Sequence, residues 1–164
     1  MAQTSVTQQR LENLEKLIRT YDEKLYIYQR ERIVTGDVDR KFEMAKKIKE
    51  DIYPGLADLE RQYASVLASV NALEKIPEAT AKELVDDLSN AADSLEGKIK
   101  DPEEANALGK LKAELSKPET ASAKLKLCLP IVPLIASYEI TLETAGLMRT
   151  VWGRIKETFS NPPR

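Results

Sequence analysis

The sequence predicts a mainly α-helical protein: a long antiparallel helical hairpin extended into a bundle of about four to five helices, with a small β-hairpin near 124–143. Three observations predict it. Two apolar stripes with alternating spacings of 3 and 4 run through residues 11–28 and 38–73, separated by the turn signal Thr35-Gly36-Asp37. Charged residues reach 32% while aromatics are 5%, a balance that suits long solvated helices. A strong helix start, Asp101-Pro102-Glu103-Glu104, opens a further helix downstream.

The first helix is expected over 5–35. Leu11, Leu14, Ile18, Tyr21, Leu25 and Tyr28 draw one apolar seam along it. Gly36 is suited to a left-handed helix end, and Asp37 to capping the next helix. So short a connection makes the two helices antiparallel neighbours. The second helix is expected over 38–75, with Val38, Phe42, Ala45, Ile48, Ile52, Leu56, Leu59, Tyr63, Val66, Val70 and Leu73 on its seam. Pro54 removes a backbone hydrogen bond and crowds the carbonyl of Glu50, so a bend is expected there. The stripe keeps its phase across Pro54-Gly55, which argues for a bent helix over a break.

At about 1.5 Å per residue the second helix spans roughly 55 Å, more than the first can cover. Its later seam residues therefore need another partner, and Tyr63, Val66, Val70 and Leu73 are the candidate interaction residues, together with the off-seam Tyr26. Pro77 reads as a helix start, followed by a stripe of Leu84, Val85, Leu88, Ala92, Leu95 and Ile99 that ends near Lys98–Lys100. A short helix with Ala105, Leu108, Leu111 and Leu115 comes next, then a loop at 118–122.

The period then changes. Leu125, Leu127 and Leu129 alternate with other residues, and so do Tyr138, Ile140 and Leu142, which is a strand signal. Between them runs the apolar, twice proline-punctuated Pro130–Ala136. A helix from about 134 is the competing reading. A last helix over about 144–159 carries Leu147, Met148, Val151, Trp152, Ile155 and Phe159. The expected organisation is a hairpin at 1–76 and shorter elements at 77–164, packed together as one domain.

The chemistry available is narrow. There is no histidine, which removes the commonest general base and transition-metal ligand. The single cysteine, Cys128, has no partner for a disulfide or a zinc site and reads as a small buried residue. No Gly-rich phosphate loop appears. Asp86, Asp87 and Asp93 read as a solvated helix face, as do Lys46, Lys47 and Lys49 among Glu43, Glu50 and Asp51. With a net charge of −2 and both signs interspersed, no nucleic-acid partner is expected. No catalytic, cofactor-binding or metal-binding residue, and no small-molecule substrate, is expected. The stretch MAQTSVTQQR lacks a signal-peptide core and no span reaches about 18 apolar residues, so a cytoplasmic protein is expected.

Two passages carry a resemblance. Leu11–Ile52, with Arg40-Lys41-Phe42 opening the second stripe, resembles the helical hairpin at the start of many bacterial, chiefly cyanobacterial, conflict-system proteins. Leu125–Trp152 resembles a short C-terminal element of the same multidomain setting. Such modules are similar to effector-associated or adaptor domains fused to caspase-like, TIR or STAND NTPase partners. Pro54-Gly55 departs from the uninterrupted second helix of that pattern. The resemblance implies no catalytic residue. It implies a non-enzymatic adaptor or oligomerisation module in an immune or cell-death pathway, binding a protein partner or itself through helices. The alternative is a membrane-acting helical-bundle effector. Its contact residues would be Leu129, Ile131, Val132, Leu134, Ile135 and Trp152, inserting at the bilayer interface.

Overall fold

The computed structural model describes residues 2–69, 76–141 and 146–160. The chain is mainly α-helical, with no strand among the described residues. It divides into two compact units, 1–63 and 64–164, and the division falls inside a helix.

The first unit opens with α1 (Ala2–Val34). Leu14, Ile18 and Leu25 form its buried face, and Leu11, Tyr21 and Tyr28 are half-buried along it. The chain then turns at 35–37. Asp37 caps α2 (Val38–Lys47) by accepting the Asp39 N–H at 3.0 Å, as the sequence suggests. Gly36 differs from expectation: its φ is not in the left-handed region and nothing lies within 4 Å of where a Cβ would stand. The turn is closed instead by Thr35, whose hydroxyl accepts the Asp37 N–H at 3.3 Å.

The helix that follows is continuous but not uniform. After α2 comes one π-helical turn, Ile48–Ile52, and then α3 (Tyr53–Ser69). The π turn ends where Tyr53 donates its N–H to the carbonyl of Ile48, five residues back. Widening the ladder just ahead of Pro54 accommodates a ring that an α-helical ladder would drive into the carbonyl of Glu50. The proline is thus absorbed by a local change of pitch.

α1 packs against α2 and against the π turn. The buried seam of the second helix runs through Met44, Ile48, Ile52 and Leu56. Val38 and Phe42, expected on that seam, are instead 77% and 72% exposed. Met44 takes the buried place two residues beyond Phe42, so Val38 and Phe42 point away from the covered face. Leu59 is only half-buried.

Tyr21 lies against the backbone of Gly55. A Cβ there would stand against the phenol end of Tyr21, 2.5 Å from Cζ and 2.7 Å from Cε1. Gly109, inside α5 (Pro102–Leu115), has nothing within 4 Å. Alanine at either helical glycine gains about 1 kcal/mol of helix propensity. At Gly55 overpacking costs about 1–3 kcal/mol against it. Gly109→Ala is therefore expected to raise the thermal midpoint and Gly55→Ala to lower it, with the loss partly recovered by Tyr21→Ala. A rise for both glycine variants in thermal melts would exclude the close approach of Tyr21.

The second unit holds the rest of α3 from Ala64, then α4 (Glu78–Leu95), α5, α6 (Ala121–Cys128), α7 (Val132–Tyr138), a 3-10 turn (Glu139–Thr141) and α8 (Leu147–Ser160). α4 packs against α5, α6 and α8, while α7 packs against α5 and α8. Leu84, Leu88, Ala92, Leu111, Leu125, Leu129, Ile135, Met148 and Ile155 are core residues. Asp101 caps α5 by accepting the Glu103 N–H at 2.9 Å, with Pro102 in the first turn.

The segment expected as a β-hairpin at 124–143 consists instead of the end of α6, a turn at 129–131, α7 and the 3-10 turn, and residues 142 and 143 lie outside the described ones. Thr120 caps α6, its hydroxyl accepting the Ala123 N–H at 3.2 Å, so Ala121 and Ser122 are helical too. The buried positions are Leu125, Cys128, Leu129 and Val132, spaced 3, 1 and 3, and Leu127 is exposed. The helical face, not the leucine alternation, decides which side chains are covered. Pro133 lies in the first turn of α7, where it has no N–H to lose.

Candidate interaction surface

The residues around the 35–37 turn build the most distinctive surface of the first unit. On α1, Tyr26, Ile27, Arg30, Ile33 and Val34 fall within roughly a third of the helix circumference, on the side away from Leu14, Ile18 and Leu25. Tyr26 is 64% exposed, Ile27 56%, Ile33 78% and Val34 75%. Beyond the turn, Val38 and Phe42 stand four residues apart on the outer side of α2. Six large apolar side chains within residues 26–42 are therefore in water, where each loses the burial free energy that its size would supply.

The polar groups of this end hold the two helices together. Arg40 on α2 donates to Glu31 on α1 at 3.0 Å, with both side chains about half exposed. The hydrogen bond to Glu31, then its charge, holds the Arg40 guanidinium above its ordinary pKa. Lys47 lies 5.7 Å from the centre of the Tyr28 ring and Lys24 the same distance from Tyr21, both within cation–π range. Residues 24–49 carry eight lysines and arginines against four aspartates and glutamates.

Of the residues singled out from the sequence, Tyr26 is on this surface. Tyr63 and Val66 are buried, at 3% and 5% exposure, and present no surface. Val70 and Leu73 lie outside the described residues. Leu129, Val132 and Ile135 are fully buried, Ile131 and Leu134 half-buried, and Trp152 buried in α8. Sequence reasoning missed Ile27, Ile33 and Val34, and placed Val38 and Phe42 on the seam. The available signal was that Ile27, Ile33 and Val34 fall outside the 3/4 stripe of α1 while keeping their own spacing of 6 and 1.

The second unit offers less. An open groove of about 430 Å3 between α4 and α8 is lined by Thr80, Glu83, Leu84, Asp87, Arg154, Glu157 and Thr158. Arg154 donates to Asp87 across it at 2.7 Å, which ties the two helices and occupies both charges. Glu78, at the start of α4, accepts from the backbone of Ala121 and from the Ser122 hydroxyl at 2.7 Å, capping α6. The Ser122 hydroxyl, then the Ala121 amide, lowers the Glu78 pKa. Burial pushes the Cys128 thiol up to about 12, so it is a protonated core residue at neutral pH. Among the described residues no three His, Cys, Asp or Glu side chains are grouped as metal ligands.

No protein-family model, curated protein or solved structure matches this chain.

Proposed function

We propose that this chain is a non-enzymatic helical adaptor or oligomerisation module whose contact surface is the apolar end of the first unit. The observation that carries the reading is the exposure of Tyr26, Ile27, Ile33, Val34, Val38 and Phe42 beside one turn. Apolar side chains concentrated at one place, with polar residues around them, are the usual composition of a protein contact. The antiparallel pairing of α1 with the α2–α3 helix is the scaffold in this reading, and the second unit adds a separate packed core. The same proposal extends to a cytoplasmic bacterial immune or cell-death pathway, and what supports that part is the resemblance of Leu11–Ile52 to the hairpins of bacterial conflict systems.

A photo-crosslinking residue at Phe42 tests this directly. One protein, identified by mass, is expected to be trapped there, to be lost when Ile33→Ser is added, and to be absent when the probe is moved to the exposed Glu103. Adducts to lipid alone, or the same adducts from both positions, would overturn the reading.

The membrane alternative has one observation in its favour. No described helix is long and apolar enough to cross a bilayer, but α6 and α7, bent by 55°, meet the length and composition together. Against it, Leu129, Val132, Ile135 and Trp152 are core residues, so lipid contact requires the second unit to open. Dye release from anionic liposomes by the folded chain would favour this alternative, with Leu129–Ile135 as the segment to mutate.

A further inference from the structure

We infer that the occupant of the apolar end is a second copy of this chain, its first unit laid antiparallel so that the basic end of each copy meets the acidic end of the other. The inference rests on the proposed interaction surface and adds the partner and its orientation.

Charge in the first unit is segregated along its length. Residues 24–49, nearest the turn, hold eight basic and four acidic residues, while 1–23 and 50–63 hold four basic and eight acidic. The contact of Tyr21 with Gly55 places these outer stretches beside each other, away from the turn. The two ends therefore carry opposite net charge of equal size. The acidic end also exposes apolar side chains, Val6 at 65% and Leu17 at 52%.

This pattern discriminates among occupants. A flat anionic surface attracts the basic end and repels the acidic one. A parallel second copy sets like charge on like charge along the whole length. An antiparallel second copy satisfies both ends at once, and its two-fold symmetry closes the assembly as a dimer. It also covers Tyr26, Ile33 and Val34, which share one face of α1 and whose exposure is otherwise unexplained. Attraction between exposed charges falls as the Debye length shrinks from about 10 Å at 0.1 M salt toward 3 Å at 1 M, so the dimer is salt-sensitive.

The experiment is light scattering and sedimentation equilibrium on the full chain, 18.4 kDa as a monomer. Arg30→Glu with Lys41→Glu brings the basic end to zero net charge, and Glu12→Lys with Glu23→Lys does the same for the acidic end; all four residues are exposed. The wild type is expected to dimerise at low salt and to weaken at least tenfold between 50 and 500 mM salt. Each double variant alone is expected to weaken at least tenfold with an unchanged thermal midpoint. Mixing the two variants in equal amounts recovers part of the dimer, because the intact acidic end of one then faces the intact basic end of the other. A monomer at all concentrations up to 100 μM overturns the inference, as does a dimer indifferent to salt and to both variants. Binding to vesicles of phosphatidylcholine and phosphatidylserine without any dimer also overturns it, and assigns the surface to anionic lipid. If the crosslink at Phe42 traps a different protein while the chain stays monomeric, this inference fails and the adaptor reading stands.

Discussion

Replacing Ile48 with aspartate is expected to lower the thermal midpoint by on the order of 10 °C, equivalent to about 4 kcal/mol for a chain of this size. Ile48 is 1% exposed and sits where α2 passes into the π turn that packs on α1. A carboxylate there loses its hydration without a partner, and the methyl groups it replaces lose their contacts. Leu59→Asp, eleven residues on, is expected to cost clearly less, because Leu59 is half-buried and its new charge can reach water. Circular dichroism melts of the two variants check the seam. Equal losses, or a larger loss at Leu59, would mean that the buried face runs where the 3/4 stripe alone puts it.

That stripe shows what the sequence carries and where it stops. The turn at 35–37, the Asp37 cap and the Asp101-Pro102 start are local chemistry, decided by one to three residues, and they were legible. The position of Pro54 was legible as a perturbation, but not its form. Whether a helix kinks or takes one π turn depends on what the neighbouring helix tolerates, and here Tyr21 lies against Gly55. Val38 and Phe42 fit the seam by spacing, yet they are in water. The spacing of a helix states which side chains share a face, and only the partner helix decides where coverage begins.

The segment 124–141 is ambiguous in sequence for a different reason. Leucines at 125, 127 and 129 satisfy alternation and also include the helical pair 125 and 129. A run that short is decided by its ends, and the Thr120 cap together with Pro133 in the first turn of α7 favours helix. The apolar surface around the turn was half legible. Tyr26 stands off the seam by its spacing alone, whereas the exposure of Ile27, Ile33 and Val34 depends on where the buried face of α1 lies.

Glu139 carries the second large effect. It is 3% exposed, in the 3-10 turn after α7, and its two carboxylate oxygens accept the N–H groups of Met148 at 3.0 Å and Arg149 at 2.9 Å. These are first-turn amides of α8, with no partner inside the helix, and a carboxylate facing a helix N-terminus is favoured by the helix dipole as well. Glu139→Ala leaves both donors without their acceptor in a buried place, at about 1–3 kcal/mol each before relaxation, so a net loss of about 3 kcal/mol is expected. Glu139→Gln keeps one acceptor oxygen and loses the charge, and is expected to lose about half as much. Because α8 packs on α4 and α7 through Met148, Val151, Trp152 and Ile155, the loss should appear as weakened tertiary order around Trp152. Near-ultraviolet circular dichroism and Trp152 fluorescence during denaturant unfolding read it. The expected order of stability is wild type, Glu139→Gln, Glu139→Ala. Identical midpoints for all three would show that the carboxylate does not hold the start of α8.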